Sequence, residues 1–196
     1  MPGGTTSKRA RNVIVRKTNQ AGNVGIKKQQ GTTRIIYDSL PIDGGTLFEF
    51  FKDNNRVFPF SNVGQRGGEL SVGEAIAVQR AYFSVFEVDP LTGEIVDISS
   101  LAGAGLFNQQ LGDLNLVIAN VQTIKPIPAL SQDARFNKNA YWDDYNNFEF
   151  DTDIVIQPLL EFSMNLRTPF GVTVADTFLR LTVEGVGAIL SPRQPQ

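Results

Sequence analysis

"AIAVQRAYFSVFEV" occupies residues 75–88, and how it is read decides the fold. Ile76, Val78, Tyr82, Phe86 and Val88 share one parity, while Ala77, Ala81, Phe83 and Val85 share the other. Successive side chains of a strand point to opposite faces. Apolar residues on both parities therefore describe a strand buried on both sides, or one that faces a neighbouring subunit. Tyr82, Phe83, Val85 and Phe86 are accordingly the candidate subunit-interface residues. One signal competes. Ser71-Val72-Gly73-Glu74 has the form of a capping box, and "EAIAVQRAY" after it is compatible with a short helix. The strand is assigned over 81–88, and 74–80 stays open between strand and helix.

Working outward, the neighbouring segments also read as β. "VDPLTGEIVDI" (88–98) is a hairpin, two β-branched runs around an Asp-Pro and Gly turn. Gly44-Gly45 introduces "TLFEFF" (46–51), where Leu47, Glu49 and Phe51 alternate with Phe48 and Phe50. "DLNLVIANVQTI" (113–124) is a strand that stops at the prolines of "KPIPAL". "YWDDYNNFEF" (141–150), "DIVIQPLLEFSMNL" (153–166) and "TFLRLTVEGVGAIL" (177–190) follow, with Pro158 marking an edge or a bulge. About eight strands, no internal repeat and no βαβ alternation predict an all-β fold. An antiparallel β-sandwich fits best, with a jelly roll as its natural eight-stranded form.

Composition narrows the chemistry. The 196 residues include no Cys and no His, which removes thiolate nucleophiles, disulfides, the commonest general base and the commonest transition-metal ligands. No P-loop pattern occurs, and the glycines of "LAGAGLF" lack the third glycine of a dinucleotide turn. The chain is read as not an enzyme, with no cofactor and no metal. No apolar run reaches the ~18–20 residues of a spanning helix, and no apolar stretch follows the N-terminal charges, so neither membrane insertion nor a secretory signal is expected.

Charge is distributed unevenly. Residues 1–37 hold Lys8, Arg9, Arg11, Arg16, Lys17, Lys27, Lys28 and Arg34 and no acid, whereas the rest of the chain carries all 20 acids. This divides the chain into a basic extended arm (1–37), a β-sandwich domain (38–190) and a disordered tail (191–196). The eight cations suit contact with nucleic-acid phosphates without base reading. The β-branched "NVIVRKT" (12–18) equally suits a strand added to a neighbouring subunit. A third reading is a solubilising tail.

The segment 141–153, "YWDDYNNFEFDTD", gathers acids and aromatics. An amphipathic strand, with Glu149, Asp151 and Asp153 on one face and Phe148 and Phe150 on the other, is the simplest reading. A calcium site and a sugar platform built on Tyr141, Trp142 or Tyr145 are the functional alternatives.

A basic stretch, "SKRARNVIVRK", followed by a β body from "TLFEFF" to "VEGVGAIL", resembles viral coat and virion structural proteins. "ELSVGEAIAVQRAYFSVFEVD" resembles a stretch of a bacteriophage virion protein. The resemblance implies a structural protein of a virus particle, in a capsid, minor-capsid, vertex, decoration or head–tail role. It implies self-association, other virion proteins as partners, packaged nucleic acid reached through the arm, and a virion assembled in the host cytoplasm. A nucleic-acid-binding module and a carbohydrate-binding β-sandwich are the competing functions.

Overall fold

The computed structural model describes residues 29–52, 56–63, 68–70, 74–99, 112–119, 121–129, 147–169, 171 and 173–190. Nine strands run through them. They are β1 (Gln29–Asp43), β2 (Leu47–Phe50), β3 (Glu74–Val88), β4 (Ile95–Ser99), β5 (Gly112–Ile118), β6 (Val121–Ala129), β7 (Asn147–Ile156), β8 (Phe162–Arg167) and β9 (Thr173–Leu190). No helix occurs among the described residues.

The strands form two sheets. In the first, β1, β9 and β3 lie side by side, and the far edge of β3 is shared by β7 and β4. In the second the order is β2-β8-β5-β6. Every strand pairing is antiparallel. Four of the pairings nest around the β5–β6 turn: β5 with β6, β3 with β7, β2 with β8, and β1 with β9. With β4 set aside, the strands follow one long hairpin whose two arms alternate between the sheets.

Between the sheets lies one apolar layer. Ile36, Phe83, Leu179 and Ile156 enter it from the first sheet, and Phe50, Leu116, Met164 and Leu166 from the second. Phe50 and Phe83 meet across the gap with ring centroids 5.9 Å apart. The molecule is an antiparallel β-sandwich, as the sequence predicts.

A β-bulge explains the two-faced stretch at 75–88. Against β9 the register of β3 slips by one residue at Gln79, Val78 pairing with Gly185 and Arg80 with Glu184. Across the other edge the irregularity lies on β7, whose residues 150–153 separate Ile154 and Glu149, the partners of Val78 and Arg80. One extra residue moves the following side chains to the opposite face. The inward set is therefore Ile76 and Val78 before the bulge, then Ala81, Phe83 and Val85 after it. Backbone approach there is close, because a Cβ on Gly185 would collide with the carbonyl of Ala77. The open choice over 74–80 resolves as strand. Neighbours on both edges satisfy the backbone, and tertiary pairing overrides the capping-box signal.

Three further expectations need correction. β1 runs from residue 29, and its pairing with β9 is unbroken from Gln29 to Pro41. Residues 29–37 therefore belong to the sandwich, not to an arm. "DIVIQPLLEFSMNL" is two strands in different sheets, β7 and β8, separated by a turn at Pro158-Leu159 where Leu159 has φ 58°. The prolines of "KPIPAL" do not end a strand. They lie within β6, at the edge of its sheet, where a missing N–H is tolerated.

Candidate assembly surface

The residues nominated for subunit contact lie mostly inside one copy of the chain. Phe83 and Val85 belong to the central layer. Phe86 points the other way but is also buried, stacked on Phe178 with centroids 5.5 Å apart and beside Phe60 at 6.4 Å. Tyr82 is half-buried on that outer face. Phe83, Val85 and Phe86 are thus corrected from interface to core. Their surplus of apolar surface is satisfied within the chain, by the bulge on one face and by a covering segment on the other.

Of the nominated cations, Lys8, Arg9, Arg11, Arg16, Lys17, Lys27 and Lys28 lie outside the described residues, as does the tail 191–196. Arg34 sits in β1 and pairs with Glu74 at 3.0 Å, both half-exposed. Its partner is a carboxylate on β3, a correction to its place among the arm's contacts. Tyr141, Trp142 and Tyr145 also lie outside the described residues. In β7, Ile154 and Ile156 belong to the core and Phe150 packs against it; the side chains of Phe148, Glu149, Asp151 and Asp153 lie outside the described residues. Among the described residues no group of three or more carboxylates could hold a metal ion.

The covering segment is residues 56–63, a strap that crosses the outer face of the first sheet beside β1. Directed polar bonds pin it at both ends. At its start the Arg56 guanidinium grips Asp38 with a two-pronged contact, Nε to Oδ1 at 2.9 Å and Nη2 to Oδ2 at 2.8 Å. Asp38 is 1 % exposed, and it also accepts the backbone N–H groups of Ser39 and Phe51. A buried carboxylate tolerates its charge only with such complete pairing. At the far end Asn62 imitates a paired strand. Its Oδ1 accepts the Tyr37 N–H at 2.7 Å, its Nδ2 donates to the Ile35 carbonyl at 2.9 Å, and its own N–H donates to the Tyr37 carbonyl.

Arg180, from β9, pins the middle. Its guanidinium lies between the rings of Tyr37 and Phe86, 4.5 and 4.4 Å from their centroids. Nε donates to Ser39 Oγ and Nη2 to the Pro59 carbonyl at 2.8 Å. Burial pushes this guanidinium below its ordinary pKa, and the Tyr37 phenol opposes the shift. An arginine nonetheless stays protonated over the accessible pH range. Stacking on two aromatic faces and two hydrogen bonds offset the desolvation.

Phe60 is drawn down onto Phe178 (4.9 Å) and its stacking partner Phe86, and the turn before it projects outward. Val57 and Phe58 form its tip, 56 % and 82 % exposed. The tip is ordered by its own bonds: the N–H groups of Phe60 and Ser61 both donate to the Val57 carbonyl. Next to the tip is a groove of about 590 Å³. Leu40, Pro41, Leu47 and Phe48 contribute apolar walls, and Asp43, Glu49, Lys52 and Arg56 contribute charges of both signs. Glu49 and Lys52 pair with each other at 2.7 Å.

Among the described residues no group of three or more metal-ligating side chains gathers on this surface. The surface offers a rigid apolar projection beside a recess with apolar walls, an arrangement suited to docking. The sequence contained one sign of it, the run "VFPF" at 57–60. The division of labour between Phe58 and Phe60 depends on Arg180 and Phe178, far away along the chain. Comparison with known proteins finds no family model that matches this chain and no curated protein that matches it.

Proposed function

We propose that this chain is a structural subunit of a virus particle, acting by self-association and without a catalytic centre, and that its sandwich is wound as a jelly roll. The observation that carries the reading is the nesting of β1 with β9, β2 with β8, β3 with β7 and β5 with β6 over two sheets. A long hairpin rolled into two Greek keys has that order, and the architecture recurs in capsid proteins. β4 is then an addition to the edge of the first sheet.

Charge supports the same reading. Once Arg34 is assigned to β1, the segment ahead of the sandwich still has seven cations and no acid. It joins the sandwich at the start of an edge strand. Cations so placed would neutralise packaged nucleic acid through counterion release, with other virion proteins as further partners and the virion as the location. The test is mass photometry and electron microscopy of the purified chain over a range of protein and salt concentrations. Closed oligomers or shells are the expected result. A monomer at every concentration, with or without added nucleic acid, would overturn the reading.

A further inference from the structure

We infer that the Val57–Phe58 tip of one copy of this chain seats in the Leu40–Pro41–Leu47–Phe48 groove of a second copy, in a reciprocal two-fold contact. The inference rests on the self-association proposed above and names the surface that performs it.

Three observations lead to a second copy as the occupant. The first is adjacency. Arg56 lines the groove and directly precedes Val57 and Phe58, so projection and recess are neighbours on one surface. The tip does not fill its own groove, since Phe58 is 82 % exposed. Two copies related by a two-fold axis bring each tip over the other's groove, and one contact then holds two identical seats. The second is charge. Arg56 is paired with Asp38 and Lys52 with Glu49, so the groove presents no block of cations to a polyanion and two like surfaces meet with little repulsion. The third is rigidity. Arg56 on Asp38, Asn62 on β1 and Arg180 on the Pro59 carbonyl fix the strap before any partner arrives. Little ordering entropy is then lost on docking, as for an anchor residue.

Size sets the strength. An aromatic side chain buries ~150–250 Å², so two Phe58 rings supply on the order of 400 Å² and the facing groove walls a comparable area. The sum lies just below the ~1,000 Å² expected of a lasting interface. One such contact is weak alone and becomes effective when repeated through an assembly.

The native chain has no cysteine, so the contact can be read by site-directed cross-linking of the full chain. Val57→Cys keeps the Phe58 anchor, and Glu49→Cys marks the groove. The two single variants, one carrying a size tag, are mixed and treated with a short bis-maleimide. Mixed dimers are expected to form about tenfold faster than from Leu91→Cys with Glu49→Cys, a pairing that reports random collision at an exposed hairpin residue. Adding Phe58→Ser to the Val57→Cys chain should remove that advantage without lowering its melting temperature. Equal rates for the two pairings, or a rate indifferent to Phe58→Ser, would overturn the inference. Sedimentation of the Phe58→Ser chain separates the two proposals. Assembly that persists without selective cross-linking removes this contact and leaves self-association standing. A native chain that stays monomeric and cross-links at the collision rate removes both.

Discussion

The two faces of the β1-β9-β3 sheet are covered by different physics. The inner face meets a second sheet, and its contacts are almost wholly apolar: Ile36, Phe83, Leu179 and Leu181 against Phe50, Leu116 and Met164. At its β1 end the outer face meets the strap 56–63, which lies over Phe86, Phe178 and Arg180. That cover is held by a buried ion pair, an amide that mimics a strand and a guanidinium between two rings. Apolar burial is non-directional and scales with area. Polar pins are directional and set position. The inner face therefore supplies most of the stability, and the outer face fixes where one small piece of backbone sits.

Core truncation tests that division most severely. Phe50 is fully buried and touches Phe48 and Phe83. Phe50→Ala should cost about 3–5 kcal/mol in a denaturation midpoint measurement, through lost burial plus the cavity left behind. A loss below about 1 kcal/mol would mean that the sheets do not depend on this layer.

Next in size is the buried ion pair. Asp38→Ala leaves the Arg56 guanidinium, itself mostly buried, without its carboxylate, and leaves the Phe51 N–H without its acceptor. The expected cost is about 3 kcal/mol. Removing both partners with Asp38→Ala and Arg56→Met should cost less than the single change, because the guanidinium leaves together with the buried carboxylate it grips. A double variant less stable than the single would show that packing, not charge pairing, dominates at this pin.

Arg180 is the milder case. Arg180→Met keeps much of the apolar bulk but removes two hydrogen bonds and the double ring stacking, for about 1–2 kcal/mol. Its specific signature is local. Amide exchange at Phe60, Ser61 and Asn62 should accelerate more than exchange at Leu179 or Leu181 in β9. Arg180→Lys should recover little, since an ammonium cannot stack and donate along two fixed directions at once. Uniform acceleration across the whole sheet would mean that Arg180 supports the sandwich itself and not the strap.

The contrast between the faces also explains what the sequence revealed. Strand character and sandwich architecture were legible because alternation in "TLFEFF" and the paired β-branched runs are local signals. β1 was hidden by a different local signal. Residues 29–37 carry Thr, Ile and Tyr suited to a strand, but they continue an acid-free stretch, and charge says nothing about which backbone groups find partners. The bulge at Gln79 could not be read from β3 alone, because it is defined by the register of β9, about a hundred residues further along the chain. Without it, apolar residues on both parities pointed to a neighbouring subunit. The strap was least legible of all. Its pins link Arg56 to Asp38, Asn62 to Ile35 and Arg180 to Pro59, separations that no window of sequence spans.

The smallest expected effect sharpens the comparison most, because it falls on the same strap as a large one. Phe58 and Phe60 are two residues apart and chemically identical. Phe60 packs against the stacked pair Phe86 and Phe178, whereas Phe58 stands in solvent. Phe60→Ser should cost about 2–3 kcal/mol from lost burial and ring contacts. Phe58→Ser should stay within about 0.5 kcal/mol of the parent, as surface changes away from caps and pins do. Thermal melts of the two variants at low protein concentration, where association does not contribute, give the comparison directly. If Phe58→Ser were as damaging as Phe60→Ser, the tip would be part of the monomer's own packing, and its outward position would no longer mark a surface for a partner.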